Sequence, residues 1–195
     1  MKINLPNKIS LTRIILLPFF VFFYLSDFIV WGKLIAAVIF VIAAATDFMD
    51  GKIARKRNIV TNLGKFLDPI ADKLIITAAL VLVIADGTIL SPYGEIITII
   101  IISRELIVSG LRQIAATGGV IISADKWGKI KAVFQDIGVA SAMVLAQLNV
   151  LNVAYDIKIY FEVFTYATLI IATVLTIISG YNYVYKNRNV FNSQQ

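Results

Sequence analysis

The sequence predicts an all-α membrane protein with six transmembrane helices, and two observations support this prediction. Hydrophobic residues make up 59% of the 195-residue chain, and the mean hydropathy is +0.85, which is above the apolar share of ordinary soluble domains. Several apolar runs also approach 20 residues, the length that an α-helix needs to cross a bilayer. With roughly 20 residues per crossing and short connections, we expect one domain, 1–195, of six spans.

The spans follow the apolar runs. The first comes after Lys2, Lys8 and Arg13. Because Pro18 interrupts its apolar run and no small-residue cleavage site follows, we interpret it as an uncleaved span rather than a signal peptide. Pro69 is expected in the first turn of the third span, a position that proline favours. The predicted spans are 13–30, 32–45 with a polar extension over 46–57, 69–85, 94–116, 130–148 and 160–183.

The basic residues predict the orientation. The connections on one side hold only Lys33 and Lys158. The other side carries most of the lysines and arginines of a chain with net charge +6, which places both termini and the segment 46–57 in the cytoplasm, at the cell membrane. Residues 3–10 are predicted to form a short interfacial helix, and the tail after Lys186 is predicted to be frayed.

Two residue types are absent, and each absence excludes a class of chemistry. The chain has no cysteine, so disulfides and thiolate metal sites are excluded. It also has no histidine, so a general base must be a carboxylate, a lysine or a tyrosine. A metal site must then consist of oxygen ligands, which favours Mg²⁺, Mn²⁺ or Ca²⁺ over Zn²⁺.

Four aspartates form the candidate functional site: Asp47, Asp50, Asp68 and Asp72. Carboxylates at membrane depth are costly, so such a cluster indicates function. Each pair shares a helix face, because residues three or four apart lie on the same side. We therefore expect the four carboxylates to converge at the cytoplasmic membrane surface. Two divalent cations about 3.5–4 Å apart would relieve their repulsion and bind a diphosphate.

Small residues accompany the aspartates. Gly51, Ala54 and Gly64 each lie one helical turn from an aspartate, which leaves room for a nucleotide to lie against the backbone. The alternative is that the aspartates are solvated helix ends paired with neighbouring lysines and arginines. That alternative does not explain the spacing of the small residues.

The complete pattern resembles the signature of the CDP-alcohol phosphatidyltransferase family at every position. It reads Asp47-x-x-Asp50-Gly51-x-x-Ala54-Arg55, eight residues, Gly64-x-x-x-Asp68-x-x-x-Asp72. The resemblance implies transfer from a CDP-linked lipid to an alcohol with release of CMP, two divalent cations (Mg²⁺ or Mn²⁺) and a homodimer. It implies that all four aspartates are metal ligands and that Asp72 is also the catalytic base. It places Asp47, Gly51, Ala54 and Arg55 at the CDP site, and we assign Gly64 there too.

Two arginines inside the fourth predicted span bear on the acceptor alcohol. Arg104 and Arg112 are eight residues apart, about two turns, and so share a face. An arginine inside a bilayer needs an anion or a water-filled cavity. We expect the pair either to form an ion pair with an acid on another span or to bind a phosphate. Glu105, adjacent in sequence, is expected on another face and is predicted to be a poor partner for Arg104.

Two further segments contribute candidate residues. Lys129 and Lys131 open the fifth span, with Gln135 following, and they either anchor the helix at the membrane surface or complete an anion site. Near the N-terminus we keep three residues as candidate CDP contacts, although Ser10 or Thr12 would equally serve as a helix cap. These three are Asn7, Thr12 and Arg13.

Residues 103–113 and 4–13 resemble the bacterial phosphatidylglycerophosphate synthases of this family. The resemblance implies CDP-diacylglycerol and sn-glycerol 3-phosphate as substrates, with Arg104, Arg112, Lys129 and Lys131 binding glycerol phosphate. Inositol phosphate, serine and phosphatidylglycerol remain alternative acceptors. A Mg²⁺-dependent membrane prenyltransferase and a divalent-cation transporter are alternatives from other classes. Nucleic acid is not an expected partner, because the basic residues do not form a soluble module.

Overall fold

The computed structural model describes the backbone of residues 5–57, 62–117 and 126–192, and the side chains of residues 11–46, 70, 71, 73–116 and 127–188. Within these ranges the chain forms six α-helices, which confirms the all-α prediction. They are α1 (Leu5–Leu25), α2 (Gly32–Arg57), α3 (Asn62–Ala85), α4 (Tyr93–Thr117), α5 (Lys126–Val150) and α6 (Tyr155–Asn192).

Three short connections meet at one end of the helical bundle, which we call the loop end. They are residues 26–31, 86–92 and 151–154. The Tyr24 hydroxyl donates to Asp86 Oδ2 at 2.6 Å, and Gln147 Nε2 donates to the carbonyl of Val30 at 2.8 Å. These bonds join α1 to the connection after α3, and α5 to the connection after α1. Successive helices therefore run in alternating directions, as their short connections require.

The core lies where α1, α2, α3 and α5 meet, with α6 packed on α5. Small residues allow this close approach. A Cβ built on Gly138 of α5 would lie 2.7 Å from Leu169 Cδ2 of α6, so a larger residue there would require the Leu169 side chain to shift. The hydroxyls of Ser141 and Thr165 are 2.9 Å apart across the same interface. Small residues and interhelical hydroxyl contacts are typical of helices packed in a membrane.

The outer surface of the bundle is strongly apolar and compatible with a membrane protein. Large hydrophobic side chains such as Phe19, Ile99, Leu106 and Ile177 are more than half exposed, a pattern that soluble monomers avoid over large areas. Among the described residues, two helical segments are long and apolar enough to cross a membrane: Trp127–Val150 and Tyr155–Arg188. Shorter apolar helices cover Leu11–Leu25, Gly32–Thr46 and Lys73–Ala85.

The structure corrects several details of the sequence prediction. Helix α3 begins at Asn62, so Pro69 does not occupy its first turn. Residues 5–10 continue directly into α1, so they do not form a separate interfacial helix. Helix α6 continues to Asn192, so the tail after Lys186 is helical rather than frayed. In each case the helix extends beyond the apolar run, because a polar or charged sequence continues a helix readily once its hydrogen-bond ladder is established.

Candidate active site

A cavity of about 300 Å³ lies at the end of the bundle opposite the loop end, and we call this end the cavity end. Five helices, α1 to α5, contribute to its lining. Six basic side chains line it, Arg13, Lys73, Arg104, Arg112, Lys129 and Lys131, together with the acids Glu105 and Asp136. Such an excess of positive charge in a recess of low dielectric focuses the electrostatic field and attracts small anions.

The four residues that the sequence assigned to an acceptor phosphate all line this one cavity. Arg104 and Arg112 reach it from α4, and Lys129 and Lys131 reach it from the first turns of α5. Lys131 is only 2% exposed, so it does not act as a surface anchor, whereas Lys129 is exposed at the rim.

Glu105 connects three of the basic side chains. Its carboxylate accepts hydrogen bonds from Lys131 at 2.5 Å, Lys73 at 2.9 Å and Arg104 Nη1 at 3.0 Å. The expectation that Glu105 is a poor partner for Arg104 is therefore wrong. Long side chains that leave neighbouring positions curve around the helix surface, and the lysines of α3 and α5 hold the carboxylate within reach of the guanidinium.

Arg104 is also fixed from α6. Its Nη2 donates to Ser179 Oγ at 2.9 Å, and Ser179 is fully buried. A Cβ added to Gly180 would lie 3.2 Å from Arg104 Cγ, and one added to Gly128 would lie 3.4 Å from Nη2. The arginine therefore occupies a close-fitting slot between α5 and α6, which lowers the entropic cost of presenting its charge to a ligand.

Arg112 is held by an aromatic ring. Its guanidinium carbon lies 5.4 Å from the centroid of the Tyr183 ring, in cation–π contact. Its Nε is buried without a hydrogen-bond acceptor among the described residues. A buried charged donor that lacks an acceptor carries a desolvation penalty, which an anion in the cavity would offset.

The predicted CDP contacts divide into three groups. Arg13 is buried and lines the cavity. Thr12 is exposed and lies outside the set of described residues that form the lining. The side chains of Asn7, Gly51, Ala54, Arg55 and Gly64 lie outside the described residues.

The side chains of Asp47, Asp50, Asp68 and Asp72 also lie outside the described residues, but their helices are described. The first two belong to α2 and the last two to α3, and these two helices pack against each other. The cavity begins next to both pairs, because its lining includes Ala44 of α2 and Lys73 of α3. Among the described side chains there is no group of three acids able to hold a metal ion. Four carboxylates form an all-oxygen donor set, which suits Mg²⁺ or Mn²⁺.

The sequence prediction missed Lys73 and the residues that hold the arginine side chains of the cavity in place. Lys73 follows Asp72 directly in the sequence, but adjacent residues point to different faces of a helix, so this position gave no clear signal. Ser179, Gly180 and Tyr183 lie on α6, far along the chain from α4. No local pattern links them to Arg104 and Arg112, because only the packing of α6 on α4 brings them together.

Comparison with known proteins identifies the family. The family model described as CDP-alcohol phosphatidyltransferase matches residues 3–180, nearly the whole chain. The chain belongs to this family. Among curated members, a Bacillus subtilis (strain 168) protein is 41% identical, with 94% of this chain and 95% of the relative covered. A Yersinia pestis (strain Pestoides F) protein is 37% identical, with 94% of each chain covered. A Rickettsia felis protein is 35% identical, with 92% and 93% covered.

All three relatives are named CDP-diacylglycerol–glycerol-3-phosphate 3-phosphatidyltransferase. The family name explains why the aspartate-bearing ends of α2 and α3 lie beside a cationic cavity. A CDP-linked substrate carries a diphosphate, an anion that suits a cationic cavity.

Proposed function

We propose that this protein transfers the phosphatidyl group of CDP-diacylglycerol to sn-glycerol 3-phosphate, giving phosphatidylglycerophosphate and CMP. The observation that carries the choice of acceptor is the convergence of Arg104, Arg112, Lys129 and Lys131 on one cavity. Serine carries no phosphate and would make less use of these four basic residues, whereas an inositol phosphate would suit them as well as glycerol 3-phosphate does. The names of the relatives support the same acceptor.

In the proposed reaction a hydroxyl of glycerol 3-phosphate attacks the lipid-side phosphorus of CDP-diacylglycerol. A new phosphorus–oxygen bond forms, the bond between that phosphorus and the CMP oxygen breaks, and CMP leaves with the bonding electrons. Asp72 accepts the hydroxyl proton. Arg104 and Arg112 hold the acceptor phosphate, so that the hydroxyl faces the aspartate segments, and positioning supplies much of the rate.

Asp47, Asp50, Asp68 and Asp72 are the residues that would hold the two divalent cations. Bound there, the cations would neutralise the diphosphate and stabilise the departing CMP phosphate. We assign Gly51, Ala54, Arg55 and Gly64 to the CDP site, together with Asn7, Thr12 and Arg13. Arg13 also lines the cavity, so it is suited to lie between the two phosphate sites.

An acceptor panel tests the proposal. Purified protein receives CDP-diacylglycerol, Mg²⁺ and one alcohol at a time: glycerol 3-phosphate, glycerol, serine, an inositol phosphate or phosphatidylglycerol. We expect CMP release with glycerol 3-phosphate, and its loss when a chelator removes the metal. Release with another alcohol but not with glycerol 3-phosphate would overturn the choice of acceptor. Activity that survives chelation would overturn the metal assignment.

We also propose six membrane spans, cytoplasmic termini and a homodimer. The absence of cysteine allows single-cysteine variants to report orientation without background labelling. Asp27→Cys at the loop end and Lys186→Cys in α6 both place the thiol at exposed positions. A membrane-impermeant maleimide added to intact cells should label the first variant and not the second, and the reverse pattern would overturn the orientation.

The proposed homodimer is tested separately. Chemical cross-linking in membranes should give a product of twice the 21.5 kDa chain mass.

A further inference from the structure

Helix α5 carries two buried glutamines whose environments differ. Gln147, at the loop end, is 2% exposed and uses both ends of its amide. Nε2 donates to the Val30 carbonyl at 2.8 Å, and Oε1 accepts from the Leu34 amide at 3.1 Å. Gln135 is 3% exposed and lines the cavity, and its Oε1 has no hydrogen-bond partner among the described residues. The first glutamine is structural, whereas the second lines the cavity with a buried amide oxygen that has no partner among the described residues.

Gln135 lies one helical turn deeper in the bundle than Lys131, on the same face of α5. A buried amide oxygen without a partner is costly, and such groups in native proteins are normally satisfied by water or a ligand. Because the Gln135 side chain lines a ligand-sized recess, a ligand in that recess is a source of the missing polar hydrogen.

The surrounding side chains limit which chemical group of a ligand can supply that hydrogen. Lysine and arginine are donors only, so the six cations can bind a phosphate but cannot accept a hydrogen bond from a hydroxyl. Glu105 already accepts from Lys73, Arg104 and Lys131, and Asp136 has a partner as well. The Oε1 atom of Gln135 is thus a neutral acceptor beside the phosphate-binding cations and is suited to a hydroxyl hydrogen.

We propose that Gln135 is a specificity-determining residue, whose Oε1 accepts a hydrogen bond from the non-reacting C2 hydroxyl of the acceptor. This inference rests on the proposed function. Glycerol 3-phosphate carries one hydroxyl that attacks and a second, at C2, that does not. The basic side chains bind the phosphate, so they cannot distinguish glycerol 3-phosphate from an alcohol phosphate that lacks the C2 hydroxyl. A buried polar group that pairs with a substrate hydroxyl disfavours the analogue without it, because the group then stays unpaired.

The test compares glycerol 3-phosphate with 3-hydroxypropyl phosphate, which keeps the phosphate and the attacking hydroxyl but lacks the C2 hydroxyl. We expect the wild-type kcat/KM to be about 10- to 100-fold higher with glycerol 3-phosphate. Gln135→Met removes the amide at similar volume, and it should bring the ratio to within about threefold of unity, chiefly by losing activity with glycerol 3-phosphate. The KM for CDP-diacylglycerol should be unchanged.

Gln147→Met is the matched control, since it removes the other buried amide of α5. It should lower thermal stability and leave the acceptor ratio at the wild-type value. Gln135→Glu keeps an acceptor oxygen, so it should retain the preference for glycerol 3-phosphate even where added negative charge raises the KM for both acceptors. If Gln135→Met does not fold, Gln135→Leu, which also lacks an acceptor oxygen, carries the same expectation.

Three results would overturn the inference. They are a wild-type enzyme with no preference between the two acceptors, a Gln135→Met variant that keeps the wild-type ratio, and a variant that loses activity equally with both. Each leaves the proposed function intact, because glycerol 3-phosphate is still used. A wild-type enzyme that does not use glycerol 3-phosphate would instead contradict the proposed function itself.

Discussion

Acidic side chains at the two ends of the bundle have different partners. At the loop end, Asp86 accepts hydrogen bonds from Lys33, Tyr24 and the Thr88 amide. At the cavity end, six basic residues surround two acids, and the Nε atoms of Arg104 and Arg112 and the Oε1 of Gln135 lack partners among the described residues. At the loop end the charge of Asp86 is neutralised within the protein, and its hydrogen bonds stabilise the connections. At the cavity end the basic side chains outnumber the acids, so an anionic ligand can bind there.

The largest expected difference is between two aspartate-to-asparagine variants, one at each end of the bundle. Asp72→Asn should lower kcat by about 10³-fold or more, because it removes the proposed base and a metal ligand, while CDP-diacylglycerol binding largely survives. Asp86→Asn should retain wild-type kcat. The measurements are CMP release and equilibrium binding of the CDP-lipid. Normal turnover by Asp72→Asn would remove this residue as the base.

A similar contrast applies to the basic residues. Arg112→Ala should raise the KM for glycerol 3-phosphate by about 10- to 100-fold, the range expected for a lost charge-assisted hydrogen bond, with little change in the KM for CDP-diacylglycerol. Lys33→Ala, which removes the cation paired with Asp86 at 2.6 Å, should leave both constants unchanged. Equal increases in the two KM values of Arg112→Ala would argue against an acceptor-phosphate role.

The hydrogen bonds of Asp86 at the loop end are expected to contribute to the free energy of unfolding, in a way that depends on pH. Burial raises the pKa of Asp86, but hydrogen bonds from Lys33, Thr88 and Tyr24 outweigh that effect and hold the pKa below its ordinary value of 3.8. The folded state thus binds the proton more weakly than the unfolded state, so the stabilisation is present above that value and is lost as the pH falls through the folded pKa.

Asp86→Asn should therefore cost about 1–2 kcal/mol of unfolding free energy at pH 7, from weakened hydrogen bonds to a charged group. The difference from wild type should narrow as the pH falls below about 4. Thermal unfolding in detergent across this pH range measures it. A difference that stays constant with pH would show that the carboxylate charge is not the source of the stabilisation.

The smallest expected effect concerns a glycine behind the cavity. A Cβ at Gly180 would press on Arg104 Cγ at 3.2 Å, and Arg104 is held by Glu105 and Ser179. Gly180→Ala should therefore displace the guanidinium and raise the KM for glycerol 3-phosphate about threefold, corresponding to less than 1 kcal/mol. Gly110→Ala on α4, where a Cβ meets nothing within 4 Å, is the matched control and should leave the KM unchanged.

Much of the fold could be predicted because membrane-length apolar runs leave few choices. The sequence predicted six helices and the polar extension of α2, and the structure agrees. The predicted helix ends were wrong in places. For example, α3 begins at Asn62 and not near Pro69, because the apolar pattern stops before the helical hydrogen bonding does. The sequence prediction also failed for Glu105, because side-chain reach and the lysines of two other helices decide that pairing.

Eight spaced positions, whose residue types suit metal and diphosphate chemistry, were enough to predict the family from the sequence. The sequence also predicted that Arg104 and Arg112 need a polar partner, because a charge inside an apolar helix is costly, but it missed Lys73. Helix packing decides which of the basic residues share a cavity and what holds Arg104 and Arg112. It also decides that Gln135 lines the cavity while Gln147 joins the connections. Residue type limits what a side chain can bind, whereas helix packing sets which groups lie within its reach.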